Sequence, residues 1–360
     1  MRPAATVDPR RIPSVPHGGM PPPDPDRSSS RSPGVDLSLS VNPYGPPPYL
    51  REAVSRALLE VTHYPDREQR RLTAGLARAL SVPEERLLVA GSASELIRAT
   101  VAAYGPRRSL VLPQYTYEEY ARTGASVGSR TRRVRMPDLH LDSERLAAAV
   151  SARALVMITN PATPTGEYTP TDSLAPVWEA AERKGALLVV DESYLPFVAG
   201  GESSAGRSPN LLTIASWSKT LGVPGLPLGH AIGDAPVLDG LRSQILPWNV
   251  GPFARHLGLL ALERPAWARR TLRRVQRTAA RTRRELRNAS AANYFCVPVG
   301  DARSAAAALG REGFRVRDLT SLGLPQHIRF AVADDATTER FLSVLGRRFP
   351  GTVPGGSPLT

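Results

Sequence analysis

Apolar and polar positions alternate in two distinct registers along this chain. In EAVSRALLEV (52–61) and LTAGLARAL (72–80) apolar residues recur at three- and four-residue spacing, which predicts amphipathic helices. Between such segments lie short continuous apolar runs, RLLVAG, SLVLP, RALVMITN, ALLVVDES and LLTIAS, each bounded by turn residues, and these predict buried strands. Strands alternating with helices predict an α/β fold: a large domain over residues 51–245 whose mostly parallel sheet is flanked by helices. From Glu263 to Arg287 runs a long helical pattern with Leu272, Val275, Ala279 and Leu286 on its apolar side. It leads into SAANYFCVPV and QHIRFAV, the predicted strands of a smaller α+β domain over 246–360, to which residues 35–50 add an N-terminal arm. Residues 1–34 are rich in Pro, Ser and Arg without aliphatic periodicity, and predict a mobile tail.

Composition changes this picture little. With 360 residues, 41% of them hydrophobic, the chain can bury a sizeable core. Its net charge of +13 invites a nucleic-acid reading. Much of the excess sits on the long helix, however, and no nucleic-acid module accompanies it, so a solvated helix face is the preferred reading. Cys296 is the single cysteine and lies in the apolar run YFCVPV, which predicts a buried thiol and no disulfide. The six histidines are scattered without metal-ligand spacing, so no metal is expected. No run is apolar for the ~18 to 20 residues that span a membrane, and no signal sequence opens the chain, so a cytoplasmic protein without a membrane partner is expected.

Ligands of parallel sheets gather beyond the carboxyl ends of the strands, and the residues there are informative. After RLLVAG comes Gly91-Ser92-Ala93-Ser94-Glu95, either a phosphate-binding turn at a helix N-terminus or an ordinary helix cap. After SLVLP come Tyr115, Tyr117 and Tyr120, able to stack on a heteroaromatic ring or simply to pack. After LVMIT comes the tight turn Asn160-Pro161-Ala162-Thr163-Pro164-Thr165-Gly166. Asp191 ends ALLVV, where an uncompensated charge is costly to bury, so it calls for a cationic partner such as a protonated pyridine nitrogen.

After LLTIAS comes Trp217-Ser218-Lys219. Lysine occurs in this arginine-dominated chain only at 184 and 219. An amine that can lose its proton and attack a carbonyl distinguishes lysine from arginine, which marks Lys219 as a Schiff-base candidate; the plain alternative is a surface residue like Lys184.

Taken in order, phosphate turn, stacking aromatic, proline-rich loop, DESY and SWSK resemble the fold-type I pyridoxal-phosphate enzymes of aminotransferase class I/II. The similarity spans roughly residues 35 to 346. DLSLSVNPYGPPP, THYPD, PQYTYEEY and HIRFAVADDATTERFLSVL are most similar to the branch holding histidinol-phosphate aminotransferase and threonine-phosphate decarboxylase. The resemblance implies that Lys219 carries pyridoxal 5'-phosphate and shuttles protons, that Asp191 pairs with the pyridinium, and that Tyr194 hydrogen-bonds the phenolic oxygen. It further implies that Tyr117 stacks on the ring, that Ala93, Ser94, Ser216 and Ser218 cradle the phosphate, and that Asn293 lies near the cofactor edge. Tyr64 is implied to reach the phosphate of a neighbouring subunit, hence a homodimer with shared sites. Arg329 matches the grip on the substrate carboxylate, Arg317 a contact to a distal anionic group, and Asn42 and Tyr44 a segment covering the site.

Two positions depart from the pattern. Thr163 stands where the family has an asparagine facing the phenolic oxygen, and Pro227 where a GLRLG-like segment supplies a phosphate-binding arginine. Proline brings neither charge nor N–H, so weaker cofactor retention is expected. The implied activity is amino-group transfer on the α-carbon of an amino acid, in specialised metabolism. Decarboxylation, with or without oxidative deamination, and carbon–sulfur elimination are the alternatives, because pocket geometry chooses which α-bond breaks.

Overall fold

The computed structural model describes residues 12–19 and 34–353. The expected mobile tail therefore falls mostly outside the described residues, but Ile12–Gly19 are placed, and Val15–Gly18 of them line the main cavity described below.

A seven-stranded sheet forms the large domain, in the order Leu87–Ala90, Gly229–Ile232, Leu211–Ser216, Leu187–Asp191, Leu155–Thr159, Ser109–Pro113, Arg130–Val134. All pairings are parallel except those of Gly229–Ile232, which runs antiparallel to both neighbours. The five apolar runs named above are all strands. Two more were not legible. Arg130–Val134 is an edge strand, four of whose five residues are exposed, so it carries no apolar signature; its arginines also suit an edge that must not pair further. Gly229–Ile232 begins within a Pro/Gly-rich stretch that reads as loop.

Helices cover both faces. On one face Leu112, Leu155, Met157, Val189 and Ile214 pack against Leu96 and Ile97 of the helix Ala93–Tyr104. On the other, Val156, Ile158, Leu188 and Val190 pack against Leu146 and Val177 of the helices Ser143–Ala149 and Ala175–Lys184. Continuous apolar strands follow from this two-sided burial.

The small domain holds a three-stranded antiparallel sheet, Arg317–Asp318, His327–Ala331, Tyr294–Pro298, and a two-residue parallel pair joining Val35–Asp36 to Phe314–Arg315. That pair fastens the N-terminal arm. The 21-residue helix Ala266–Leu286 packs on this domain through Val275, Ala279 and Leu286. Its buried stripe also contains Thr271, Thr278 and Thr282, which an apolar-only reading passes over, whereas Leu272 is only partly buried. Its arginines occupy the remaining faces. Among the described residues no helix is long and apolar enough to cross a membrane, and no group of three or more His, Cys, Asp or Glu is placed to hold a metal ion.

Candidate active site

Five strands running in the same direction, Leu87–Ala90, Ser109–Pro113, Leu155–Thr159, Leu187–Asp191 and Leu211–Ser216, deliver the site at or beyond their carboxyl ends. A cavity of about 300 Å³ opens there, between the large sheet and the small domain. Its walls include Ser92, Ala93, Ser94, Tyr117, Thr163, Asp191, Tyr194, Ser216, Ser218, Lys219, Pro227, Arg317 and Arg329. Residues scattered over most of the sequence thus meet in one place because the strands share a direction.

The phosphate turn is built locally. Ser92 Oγ accepts the Glu95 N–H (2.9 Å) and caps the helix Ala93–Tyr104, while Glu95 Oε2 accepts the Gly91 N–H (2.8 Å). A methyl group on Gly229 would stand 2.5 Å from the Ala93 nitrogen, so the neighbouring strand reaches the turn only because it has no side chain there. Small residues, free hydroxyls and a 12-residue helix aimed by its amino end suit an anion.

Asp191 is buried at the end of its strand. Its Oδ1 accepts the Ser193 N–H (3.0 Å) and its Oδ2 the Tyr120 hydroxyl (2.9 Å). Burial pushes its pKa up, against the opposing pull of Ser193, Tyr120 and the charge of Lys219. A cation docked beside it would restore the ionised form. Lys219 Nζ lies 5.9 Å from the centre of the Tyr194 ring, and Tyr194 in turn packs edge-on to Tyr294, centroids 4.9 Å apart. Tyr117 meets Tyr120 edge-on at 5.5 Å, and burial pushes its phenol up to about 12.

At the small-domain wall Arg317 and Arg329 are directly opposed across an antiparallel pair. Among the described residues neither forms an ion pair; Arg317 donates to the Pro16 carbonyl oxygen, and the Arg329 guanidinium lies 5.1 Å over the Tyr294 ring. Like charges facing one another cost stability unless an anion joins them.

Residues 32–345 match the family Aminotransferase class I and II. The chain belongs to that family. Histidinol-phosphate aminotransferase 1 of Thiobacillus denitrificans is 31% identical over 340 residues, covering 90% of this chain and 87% of that protein. In fold, this aminotransferase superposes on histidinol-phosphate aminotransferase from Sinorhizobium meliloti, solved in complex with pyridoxal-5'-phosphate, with TM-score 0.78 and 21% identity over 89% of this chain and 91% of that one. It also superposes on L-threonine-O-3-phosphate decarboxylase from Porphyromonas gingivalis, TM-score 0.75 and 20% identity over 86% of this chain and 98% of that one.

Pyridoxal phosphate is accordingly the cofactor, and the residues present fit it. Asp191 awaits a cation, the Gly229 cradle admits no side chain, and the buried hydroxyls of Ser40 and Thr116, which line the cavity, have no hydrogen-bond partner among the described residues. Thr163 lines the cavity; its N–H donates to Thr159 Oγ1 (2.8 Å) and its hydroxyl stands 3.5 Å from the Tyr294 hydroxyl. Pro227 lines the cavity with the serines, and among the described residues the only arginines lining it are Arg317 and Arg329.

Four expected site residues lie outside the cavity lining. Asn42 does not face the cavity, because its amide is consumed by the Thr220 carbonyl and the Thr271 hydroxyl (both 2.9 Å); it ties the arm to the segment carrying Lys219, whose carbonyl oxygen accepts the Asn42 N–H. Tyr44 lies beneath the Arg274 guanidinium (4.1 Å) and packs on the small-domain core. Tyr64 is exposed, stacks on Trp248 and does not line the cavity. Asn293 is fully buried, with its amide reaching the Val41 carbonyl at 3.4 Å.

Sequence reasoning assigned no role to Tyr120, Tyr294 or Val15–Gly18. Tyr120 was one of three tyrosines in QYTYEEY, and only the fold selects it as the donor to Asp191. Tyr294 lies in an apolar run that reads as core. Val15–Gly18 line the mouth, with His17 bonded to Glu119 at 3.1 Å and the Gly19 N–H donating to Ser38 Oγ at 2.9 Å. A Pro/Ser/Arg-rich composition hid that segment.

Proposed function

We propose that this aminotransferase acts on the α-carbon of an amino acid bearing a second anionic group, in specialised rather than housekeeping metabolism. The observation that carries the substrate class is the facing pair Arg317 and Arg329 on the cavity wall, free of carboxylate partners among the described residues. Arg329 grips the α-carboxylate in a two-pronged bond, and Arg317, once released from the Pro16 carbonyl, takes the distal anion.

Bound pyridoxal phosphate supplies a carbonyl for amine exchange and a ring that accepts electrons from the substrate α-carbon. Lys219 Nζ would hold the cofactor through its carbonyl carbon and, once released, would carry the substrate α-proton from the α-carbon to that same cofactor carbon. Asp191, whose carboxyl accepts from Tyr120 and the Ser193 N–H, would pair with the protonated pyridine nitrogen. Tyr194 would donate to the phenolic oxygen, and Tyr117 would cover the ring. Ala93, Ser94, Ser216 and Ser218 cradle the phosphate. Pro227 and Thr163 support the specialised reading, since both alter the surroundings of the cofactor at once.

We also infer a homodimer in which Tyr64 reaches the partner's phosphate. Tyr64 is 79% exposed and stacks on exposed Trp248; Leu58, Leu59, Val61 and Leu246, near them in sequence, are exposed as well, and a second copy would cover such residues. The free buried thiol of Cys296 is compatible with a cytoplasmic, reducing compartment.

The test has two stages. Purified protein should absorb near the visible edge, and Lys219→Ala should abolish that band; a band unchanged in the variant would sink the assignment of Lys219. Incubation with amino acids carrying or lacking a distal carboxylate or phosphate, following keto acid, carbon dioxide and sulfide together, should give keto acid and favour the anionic substrates. Carbon dioxide or sulfide as the stoichiometric product would replace transfer by decarboxylation or elimination.

A further inference from the structure

Tyr64 and Trp248 form a stacked pair, ring centroids 4.4 Å apart and planes inclined by 26°. Both are exposed on the described chain. Nothing in the core requires two aromatic rings here, so the pair needs another reason.

The backbone supplies one. Trp248 sits at φ +60°, the left-handed region that a bulky side chain rarely occupies. Its loop is pinned on both sides. Asn249 Nδ2 donates to Glu95 Oε2 (2.9 Å), the same oxygen that accepts the Gly91 N–H, and a methyl group on Gly91 would stand 2.4 Å from the Asn249 carbonyl oxygen. Val250 O accepts from Gln69 Nε2 (3.3 Å), and Gln69, itself at φ +50° and buried, also donates to Asp66 O (2.6 Å) just beyond Tyr64. The segment bearing Tyr64 and the segment bearing Trp248 are thus laced to each other and to the subunit's own phosphate turn. A rigid base carries the indole, and the indole carries the phenol.

We propose that Trp248 is the positioning residue for Tyr64: its indole face fixes the ring so that the hydroxyl is presented to the phosphate held by the partner subunit. This rests on the shared-site reading above and adds to it the group that aims the tyrosine. An exposed tyrosine on a surface loop samples several rotamers, and stacking on a held ring removes most of them before the partner's cofactor arrives. With Pro227 in place of a phosphate-binding arginine, a well-aimed neutral donor matters more than it would beside a fixed positive charge.

The test is titration of the cofactor-stripped full-length protein with pyridoxal phosphate, following the absorption of the loaded form, at concentrations where sedimentation shows a dimer. Tyr64→Phe keeps the stack and deletes the hydroxyl; it should weaken affinity about tenfold or more. Trp248→Ala keeps the hydroxyl and deletes the stack; it should weaken affinity about 2- to 10-fold. Trp248→Phe, which retains a flat ring, should recover most of that loss. In the Tyr64→Phe background Trp248→Ala should have no further effect, because no hydroxyl remains to be aimed. Equal losses from Trp248→Ala in both backgrounds, or failure of Trp248→Phe to rescue, would overturn the proposal while leaving the shared site intact. An unchanged affinity in Tyr64→Phe would overturn the shared site itself.

Discussion

Tyr120→Phe isolates the least conspicuous member of the site. Tyr120 is fully buried and its hydroxyl donates to Asp191 Oδ2 at 2.9 Å, so the substitution removes one oxygen and leaves the ring packed. What is lost is a hydrogen bond to an ionised acceptor, about 1.5 to 3 kcal/mol in a buried setting. The Ser193 N–H on Oδ1 remains, so the carboxylate is weakened and not orphaned. Burial has already raised the folded-state pKa of Asp191 above its ordinary 3.8. A raised acid contributes stability that is fully present below its unfolded pKa and lost as pH rises through the folded value. Deleting a donor to the charged form raises that folded value again, so the variant loses more than the wild type on the alkaline side. Denaturant unfolding of the cofactor-free chain should therefore give a deficit of about 1.5 to 3 kcal/mol at pH 8 that shrinks toward pH 4. A double-mutant cycle with Asp191→Asn should show most of the effect as coupling between the two positions. A deficit equal at both pH values, or additive in the cycle, would refute the view that Tyr120 acts through an ionised Asp191.

Two further outcomes follow from the same cavity and its supports. Glu192 is buried with its carboxylate accepting from Ser203 Oγ (2.6 Å) and the Ser204 N–H (2.7 Å), and burial raises its pKa from 4.5 to about 7. Its stabilising contribution is full below pH 4.5 and lost as pH rises through about 7, so Glu192→Gln should flatten the pH dependence of unfolding over that window by up to about 3 kcal/mol; an unchanged profile would count against a raised Glu192. Pro227→Arg, at an exposed position on the cavity rim, should slow loss of pyridoxal phosphate during dialysis by about 10- to 100-fold, and equal retention would mean that the serines and the helix end already satisfy the phosphate.

Buried strands were legible because the parallel sheet is covered on both faces, so Leu187–Val190 or Leu155–Ile158 must be apolar at every position. The edge strand Arg130–Val134 obeys no such demand and carries no apolar pattern to reveal it. In the candidate site the same division holds. Lys219 and Asp191 stand out because their chemistry is at odds with their surroundings, a lysine in an arginine chain and an acid after five apolar residues. Tyr120 offers no such contrast with Tyr115 and Tyr117, since three tyrosines within six residues differ only in where the backbone points them.

By itself the sequence determined the family, the alternation of layers and the residues whose chemistry no substitute could supply, because these depend on local pattern and on functional groups. Tertiary structure decided which residues share the cavity. It turned Asn42 inward to hold the arm, opposed Arg317 to Arg329, laid Val15–Gly18 across the mouth and set Tyr64 on Trp248. Those relations join positions far apart along the chain, where no local pattern records them and only packing brings them within reach.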